Sequence, residues 1–258
     1  MNAAKSIATQ TQEVLSKVPQ VTLLFWVIKI AATTLGETAG DAVTMSMNLG
    51  YLVGTAIFAT IFVAAVIAQM KATRFHPLLY WATIIATTTV GTTLADFADR
   101  SLGIGYTGGA TILFFLLMMS LYIWHRSLGS VAVDTVSTPK EEIFYWTTIM
   151  FSQTLGTALG DWAADTAGLG YRGGAVLFGA LLIAIAAGYY FTKISRSVLF
   201  WAAFILTRPL GAVVGDYLDK PLTSGGLALS RYLASGALIA FILVIIAISR
   251  RRSGKFAV

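Results

Sequence analysis

Four segments of this 258-residue chain align without gaps, and this repetition restricts the fold more than any other feature of the sequence. Each segment starts with an aromatic residue and Trp, has Gly ten residues after the Trp, and has Asp fifteen residues after it. Chance rarely produces four such alignments, so the chain is built from one repeated unit. The segments are FWVIKIAATTLGETAGD from Phe25, YWATIIATTTVGTTLAD from Tyr80, YWTTIMFSQTLGTALGD from Tyr145 and FWAAFILTRPLGAVVGD from Phe200.

The composition indicates that these units are membrane helices. Hydrophobic residues make up 57% of the chain and charged residues 12%, whereas soluble domains carry about 25% charged residues. The apolar runs are continuous and long enough to cross a bilayer, which favours an all-α polytopic protein over a β-barrel. Eight transmembrane helices are predicted, at 21–44, 51–70, 78–98, 107–125, 143–164, 173–192, 197–217 and 228–249.

The eight helices form a single membrane domain, 1–258, of four parallel two-helix repeats. The repeats cover approximately 21–75, 76–130, 141–196 and 197–252, after a polar N-terminal segment, 1–20. That segment has no apolar core typical of a signal peptide, and it is expected to be a short interfacial helix or an unstructured stretch. Because every unit starts on the same side, the axis relating the repeats runs along the membrane normal.

Loop charge predicts the orientation. Twelve basic residues lie on the side of the termini and four on the other side, so the positive-inside rule predicts cytoplasmic termini and a bacterial inner (plasma) membrane location. The four repeated Trp residues are then expected to anchor the helices at the cytoplasmic interface. The twelve are Lys5, Lys17, Lys71, Arg74, Arg126, Lys140, Lys193, Arg196, Arg250, Arg251, Arg252 and Lys255; the four are Arg100, Arg172, Lys220 and Arg231.

Each repeated helix carries a stripe of polar and small residues on one face, at seven, eleven, fourteen and fifteen residues after the Trp. A charge at the bilayer centre costs at least ~2.5–3.5 kcal/mol, so the stripes are expected to face inward. The candidate substrate- and proton-binding residues on them are Lys29, Thr33, Glu37, Asp41, Asp96, Asp161, Arg208 and Asp216.

Structural roles compete with functional ones along this stripe. Small residues four apart let helices approach closely, so the repeated Gly positions are interpreted as packing first. The repeated Asp residues either bind substrate or hold the fold. Glu37 has no acidic counterpart in the other copies, which favours a functional carboxylate near the midplane. Lys29 and Arg208 either neutralise a neighbouring acid or act as countercharges that substrate replaces.

Carboxylates and hydroxyls favour a hard divalent ion such as Mn²⁺ as substrate, and closely spaced carboxylates favour proton coupling. No resident cofactor is predicted: there is no cysteine, and His76 and His125 fall at helix ends away from the stripes. ATP coupling within the chain is not expected, because no phosphate-binding loop motif is present. The candidate metal ligands are Glu37, Asp41, Asp96, Asp161, Asp216 and Met45.

The motifs TLGETAGD and TLGTALGDW, with the fourfold two-helix unit, resemble a bacterial family of membrane proteins with four tandem repeats of unknown function, the DUF347 type. The resemblance extends from Phe25 to about Ser249. It implies an inner-membrane protein of eight helices, and it implies little about activity.

Other functions stay open at this stage. An organic-cation transporter would use Phe97, Trp162 and Tyr217, which follow three of the repeated Asp residues, for cation–π contacts. A channel and a non-transport scaffold are further alternatives, and a homo-oligomer is compatible with all of them. An enzyme is not expected, because no nucleophile–base set is apparent. The basic residues lie in loops and tails, so the lipid bilayer and a small cation are the expected partners rather than nucleic acid.

Overall fold

The computed structural model describes residues 16–253, in which eight long helices and no strands occur. The eight-helix, all-α prediction is therefore confirmed. Residues 1–15 of the polar N-terminal segment, with Lys5, and residues 254–258, with Lys255, lie outside the described residues. The helices are α1 (Leu23–Asp41), α2 (Gly50–Lys71), α3 (Pro77–Asp96), α4 (Tyr106–Leu128), α5 (Pro139–Asp161), α6 (Gly170–Phe191), α7 (Arg196–Asp219) and α8 (Arg231–Ser253).

Seven of these eight helices are long and apolar enough to cross a membrane. The helix that falls short is α5. Its first turn carries Lys140, Glu141 and Glu142, and its middle carries the polar pair Ser152 and Gln153. These residues lower the mean hydropathy of α5, although the helix, with 23 residues, is as long as its neighbours.

The first helix of each repeat lies in a closed inner ring, in which α1 packs against α3, α3 against α5, α5 against α7, and α7 against α1. Burial separates these helices from the other four. About two thirds of α1, α3 and α7 is buried, against between 6% and 28% of α2, α4, α6 and α8. The stripes predicted to face inward therefore do so, and the apolar outer helices surround the ring.

Each outer helix covers the inner helix of the next repeat rather than that of its own. Thus α2 packs on α3, α4 on α5, α6 on α7, and α8 returns to pack on α1. Hydroxyl pairs join two of these contacts: Ser120 to Thr148 at 2.7 Å, and Thr38 to Ser235 at 2.9 Å. Because every repeat needs its neighbour to cover it, the four copies form one structural unit.

Glycine lets the inner helices approach one another closely. The Gly ten residues after each Trp faces the residue seven after the Trp in the next copy. A Cβ at Gly36, Gly156 or Gly211 would overlap that residue, and a Cβ at Gly91 would lie only 3.0 Å from it. The packing role predicted for these glycines is confirmed. The four pairs are Gly36 with Thr88, Gly91 with Gln153, Gly156 with Arg208, and Gly211 with Thr33.

Three of the four repeated Trp residues are buried in the ring, so the prediction that they anchor an interface was wrong for these three; Trp26 is partly buried. The side chains of Trp81, Trp146 and Trp201 are at most 4% exposed and turn into the ring, because four aromatic pairs converge where the inner helices begin. Tyr80 and Tyr145 meet there with their hydroxyl oxygens 2.5 Å apart. This aromatic plug closes one end of the ring and comprises Phe25, Trp26, Tyr80, Trp81, Trp124, Tyr145, Trp146, Phe200, Trp201 and Phe204.

The segment before α1 is fixed by one buried lysine. The ammonium of Lys17 donates to Glu142 Oε1 at 2.6 Å and to the carbonyl of Met70, at the end of α2, at 3.1 Å. The backbone N–H of Lys17 donates to the carbonyl of Val136 at 3.0 Å. Lys17 therefore ties the end of α2 to the start of α5.

Glu142→Gln is expected to lower the free energy of unfolding by about 1–2 kcal/mol, because a charge-assisted hydrogen bond is replaced by a weaker one while the ammonium of Lys17 keeps the carbonyls of Gln69 and Met70 as acceptors. Thermal unfolding of the detergent-solubilised protein measures this loss. The matched control is Lys140→Gln, two positions earlier and exposed, for which little change is expected. Equal shifts in the two variants would contradict a specific role of the Glu142 pair.

Candidate functional site

Four buried aspartates form a layer at the end of the ring opposite the aromatic plug. Asp41, Asp96, Asp161 and Asp216 occupy equivalent positions and are each at most 3% exposed. In the first three copies a π-helical turn follows the Asp directly, at Ala42–Ser46, Phe97–Ser101 and Trp162–Thr166. Such turns are frequent at functional sites. We call these four residues the aspartate layer.

Two basic side chains bridge the aspartates in pairs. Arg100 Nε lies 2.9 Å from Asp96 Oδ1, and its Nη2 lies 3.5 Å from Asp161 Oδ2. Lys220 Nζ contacts Asp41 Oδ2 and lies 3.1 Å from Asp216 Oδ1. The bridging bases therefore have a twofold arrangement, with one base for each pair of aspartates, although the backbone repeats four times.

The sequence held a signal for this bridging that the prediction missed. Arg100 and Lys220 each stand four residues after a repeated Asp, the spacing at which helical side chains meet. Copies one and three have Met45 and Asp165 at the same position, so only alternate copies supply a base.

Glu37 lies one helical turn nearer the plug and is paired with Arg208. Arg208 Nη2 donates to Glu37 Oε2 at 2.9 Å and to the hydroxyls of Thr92 and Thr157 at 2.5 Å each. One side chain from copy four thus reaches the equivalent position of the other three copies, which puts its guanidinium near the ring axis. Of the two roles predicted for Arg208, this contact favours neutralisation of an acid.

Carboxylates from separate copies come together in two groups. One oxygen from each of Glu37, Asp41 and Asp96 lies within 4.8 Å of the others, and the same holds for Asp41, Asp216 and Asp219. Oxygen ligands around a hard divalent cation have separations of this size, since metal–oxygen distances are about 2.0–2.6 Å. Asp41 belongs to both groups, and its buried Oδ1 has no hydrogen-bond partner within residues 16–253. Asp161 belongs to neither group.

Acids outnumber bases around the aspartate layer. Among the described residues, seven buried carboxylates lie there with four basic side chains. Buried charge without compensation is costly, so the excess favours binding of a cation or of protons. The acids are Glu37, Asp41, Asp96, Asp99, Asp161, Asp216 and Asp219, and the bases are Arg100, Arg208, Lys220 and Arg231.

The remaining predicted site residues have other contacts. Met45 Sδ accepts from Arg231 Nη2 at 3.4 Å, which leaves its sulfur beside a cation. Thr33 Oγ1 donates to backbone carbonyls, with the carbonyl of Ile30 at 2.8 Å. Lys29 lies two turns from Glu37 toward the plug, and it makes no ion pair among the described residues. Asp219, which binds Arg231 at 2.9 Å, was missing from the predicted ligand set.

The aromatic residues considered for organic cations are not buried as the carboxylates of this site are. Trp162 is 37% exposed, and the hydroxyl of Tyr217 accepts from Arg172 Nη2 at 2.8 Å. Phe97 is only partly buried. Both histidines, His76 and His125, are exposed at the other end of the helices. Carboxylates therefore dominate the buried chemistry, as the sequence indicated.

A protein-family model described as a repeat of unknown function, DUF347, matches residues 24–75, 79–130, 144–195 and 199–255. The chain belongs to the DUF347 repeat family. Each matched DUF347 repeat contains one inner helix and the outer helix that follows it, so the resemblance noted from the motifs is confirmed. No curated protein and no solved structure matches the chain. The family description assigns no activity, and the geometry of the aspartate layer carries the functional argument.

Proposed function

We propose that this DUF347 protein is a secondary membrane transporter for a cation, with a hard divalent metal ion such as Mn²⁺ as substrate. One observation carries the proposal: buried oxygens of Glu37, Asp41 and Asp96, from two repeats, lie within 4.8 Å of one another. Carboxylate oxygens at such separations are the ligands that hard divalent ions prefer. The excess of buried acids over bases supplies the negative charge that a cation neutralises.

In this proposal all eight helices span the bacterial inner membrane, with both termini in the cytoplasm. The excess of basic residues on the side of the termini supports that orientation. The polar face of α5 is buried in the ring and does not face lipid. In this proposal α5 therefore spans the membrane despite its low hydropathy. The aromatic plug then closes the cytoplasmic end of the ring, and the aspartate layer lies toward the opposite surface.

The bridging bases are the countercharges in this mechanism. Lys220 holds Asp41 and Asp216 together when no substrate is bound, and an arriving metal ion competes with its ammonium for Asp41. Closely spaced carboxylates share protons, so metal entry releases protons and metal exit takes them up. Glu37 stays bound to Arg208 and contributes its second oxygen.

Flux measurements in liposomes test the proposal. The purified protein is reconstituted, Mn²⁺, Mg²⁺, Ca²⁺ and an organic-cation panel are added outside, and a pH-sensitive dye is followed inside. We expect a divalent metal to drive proton movement, and Asp41→Asn to lower the rate at least about 10-fold, because a ligand worth about 1.4 kcal/mol or more is removed.

Asp161→Asn is the matched control. It changes the same residue type in the same layer, and Asp161 belongs to neither carboxylate group. We expect its metal flux to stay within about 3-fold of the wild-type rate, a difference below one kcal/mol. Equal flux in wild-type and Asp41→Asn liposomes would overturn the proposed site. Flux of organic cations without flux of any metal ion would overturn the assignment of a metal ion as substrate. The absence of flux for every cation would favour a scaffold role over transport.

A further inference from the structure

Between the aromatic plug and Glu37, the ring contains buried polar atoms that no other described residue satisfies with a hydrogen bond. Lys29, Thr88, Ser152, Gln153 and Arg208 are all 0% exposed. No hydrogen-bond partner exists among the described residues for Lys29 Nζ, the hydroxyls of Thr88 and Ser152, either amide atom of Gln153, or Nε and Nη1 of Arg208. Native proteins rarely bury this many unsatisfied polar atoms together, since each costs free energy.

The ionisable residues of this region are basic, in contrast to those of the aspartate layer. From the aromatic pair to the repeated Gly, Lys29 and Arg208 are the only charged residues on the four inner helices. Arg208 is matched by Glu37, whereas Lys29 makes no ion pair among the described residues. Full burial disfavours the ammonium form of Lys29 unless an anion lies beside it. Lys29 Nζ lies 4.1 Å above the ring of Phe204, a contact that favours the charged ammonium.

The repeats supply these groups in a regular way. Thr88, Gln153 and Arg208 stand seven residues after the Trp in copies two, three and four, and therefore at one level of the ring. Lys29 stands four residues before the equivalent residue of copy one, one helical turn closer to the plug. Each repeat thus contributes one side chain with an unused donor to the same section of the ring.

We propose that this section is a binding site for one small monovalent anion of the size of chloride. The ammonium of Lys29, Nε and Nη1 of Arg208, the amide of Gln153 and the hydroxyl of Thr88 donate to the anion. Lys29 is the single basic residue of this section without an acidic partner among the described residues, which calls for a monovalent ion. The close approach of the inner helices at the repeated glycines favours a small one. The anion would neutralise Lys29 and hold Arg208 in the position from which it binds Glu37.

Equilibrium binding of radioactive chloride tests the site. The probe is ³⁶Cl⁻ added to the detergent-solubilised full chain in sodium gluconate buffer free of divalent metal. We expect saturable binding of about one chloride per chain, with competition by bromide and none by sulfate. Lys29→Met is expected to weaken chloride binding at least about 10-fold, because the unmatched charge is removed.

Lys71→Met, an exposed lysine at the end of α2, is the matched control and should bind chloride like the wild type. Gln153→Leu provides a second test that keeps all charges, with an expected loss of about 3- to 10-fold for one neutral hydrogen bond. Absence of saturable chloride binding to the wild type would overturn the site, as would unchanged binding in both Lys29→Met and Gln153→Leu.

This inference is independent of the proposed transport. Asp41→Asn removes a carboxylate about three helical turns from Lys29 and should leave chloride binding unchanged. Chloride binding without metal flux would therefore count against the transport proposal alone. Metal flux without chloride binding would count against the anion site alone.

Discussion

Glu37→Gln is expected to lower the free energy of unfolding by about 3–5 kcal/mol, the cost of leaving a buried charge without its partner. Arg208 is 0% exposed, and its Nη2 lies 2.9 Å from Glu37 Oε2. The remaining contacts of that nitrogen are the hydroxyls of Thr92 and Thr157, which are neutral and cannot balance a guanidinium. Thermal or denaturant unfolding of the purified protein measures the loss.

The double variant Glu37→Gln with Arg208→Met separates charge from packing. Methionine fills the space of the arginine stem without a charge, so the double variant should recover at least half of the stability lost by Glu37→Gln alone. The two substitutions together give a coupling energy that single substitutions cannot. If the double variant is less stable than either single variant, the ion pair is not the reason that Glu37 is needed for stability.

This pair also changes how transport data on Glu37 should be interpreted. A loss of flux in Glu37→Gln alone has two causes, loss of a ligand and loss of stability, because the same carboxylate serves both roles. Asp41 is the better functional probe, since each of its two basic neighbours keeps another carboxylate when Asp41 is neutral. Lys220 Nζ lies 3.1 Å from Asp216 Oδ1, and Arg231 Nε lies 2.9 Å from Asp219 Oδ2. We therefore expect Asp41→Asn to fold well and to lose transport.

Much of the fold could be predicted from the sequence because the residues that pack the inner helices recur at the same positions in every repeat. The Trp, Gly and Asp positions mark the inner helix of each copy, and the polar stripe indicates which face turns inward. The hydropathy of the sequence predicted the apolar outer helices. What the sequence did not contain was the partner of each outer helix, because helices of uniform hydrophobicity, such as α2, carry no preferred face.

The acids of the candidate site and the base Arg208 were among the predicted residues, but the bridging bases Arg100 and Lys220 were not. The four Asp residues and Glu37 were found because acids are rare and costly in apolar helices. Their pairing with Arg100, Lys220 and Arg208 depends on side-chain reach across the ring, which a single sequence gives only for bases on the same helix. The burial of Trp81, Trp146 and Trp201 was missed for a similar reason: an indole at a helix start fits an interface or a closed ring equally well.

Gly156→Ala is expected to destabilise the protein by about 3 kcal/mol, although alanine is normally the better helix former. A Cβ at Gly156 would overlap the stem of Arg208 and lie 3.1 Å from Cδ of Pro209. Neither neighbour can move freely, because Pro209 is part of α7 and Arg208 is held by Glu37 at its far end. The methyl group would therefore separate α5 from α7 or break the Arg208 contacts.

Gly236→Ala makes the same change on α8, where a Cβ would have no atom within 4 Å. Its expected effect is opposite in sign, a gain of up to about 1 kcal/mol from helix propensity. Because both glycines lie inside helices, the difference between the two variants measures the close approach of the ring helices and not the loss of glycine itself. Similar stability in both variants would mean that the inner ring tolerates a wider spacing, and that Arg208 does not depend on it to reach Glu37.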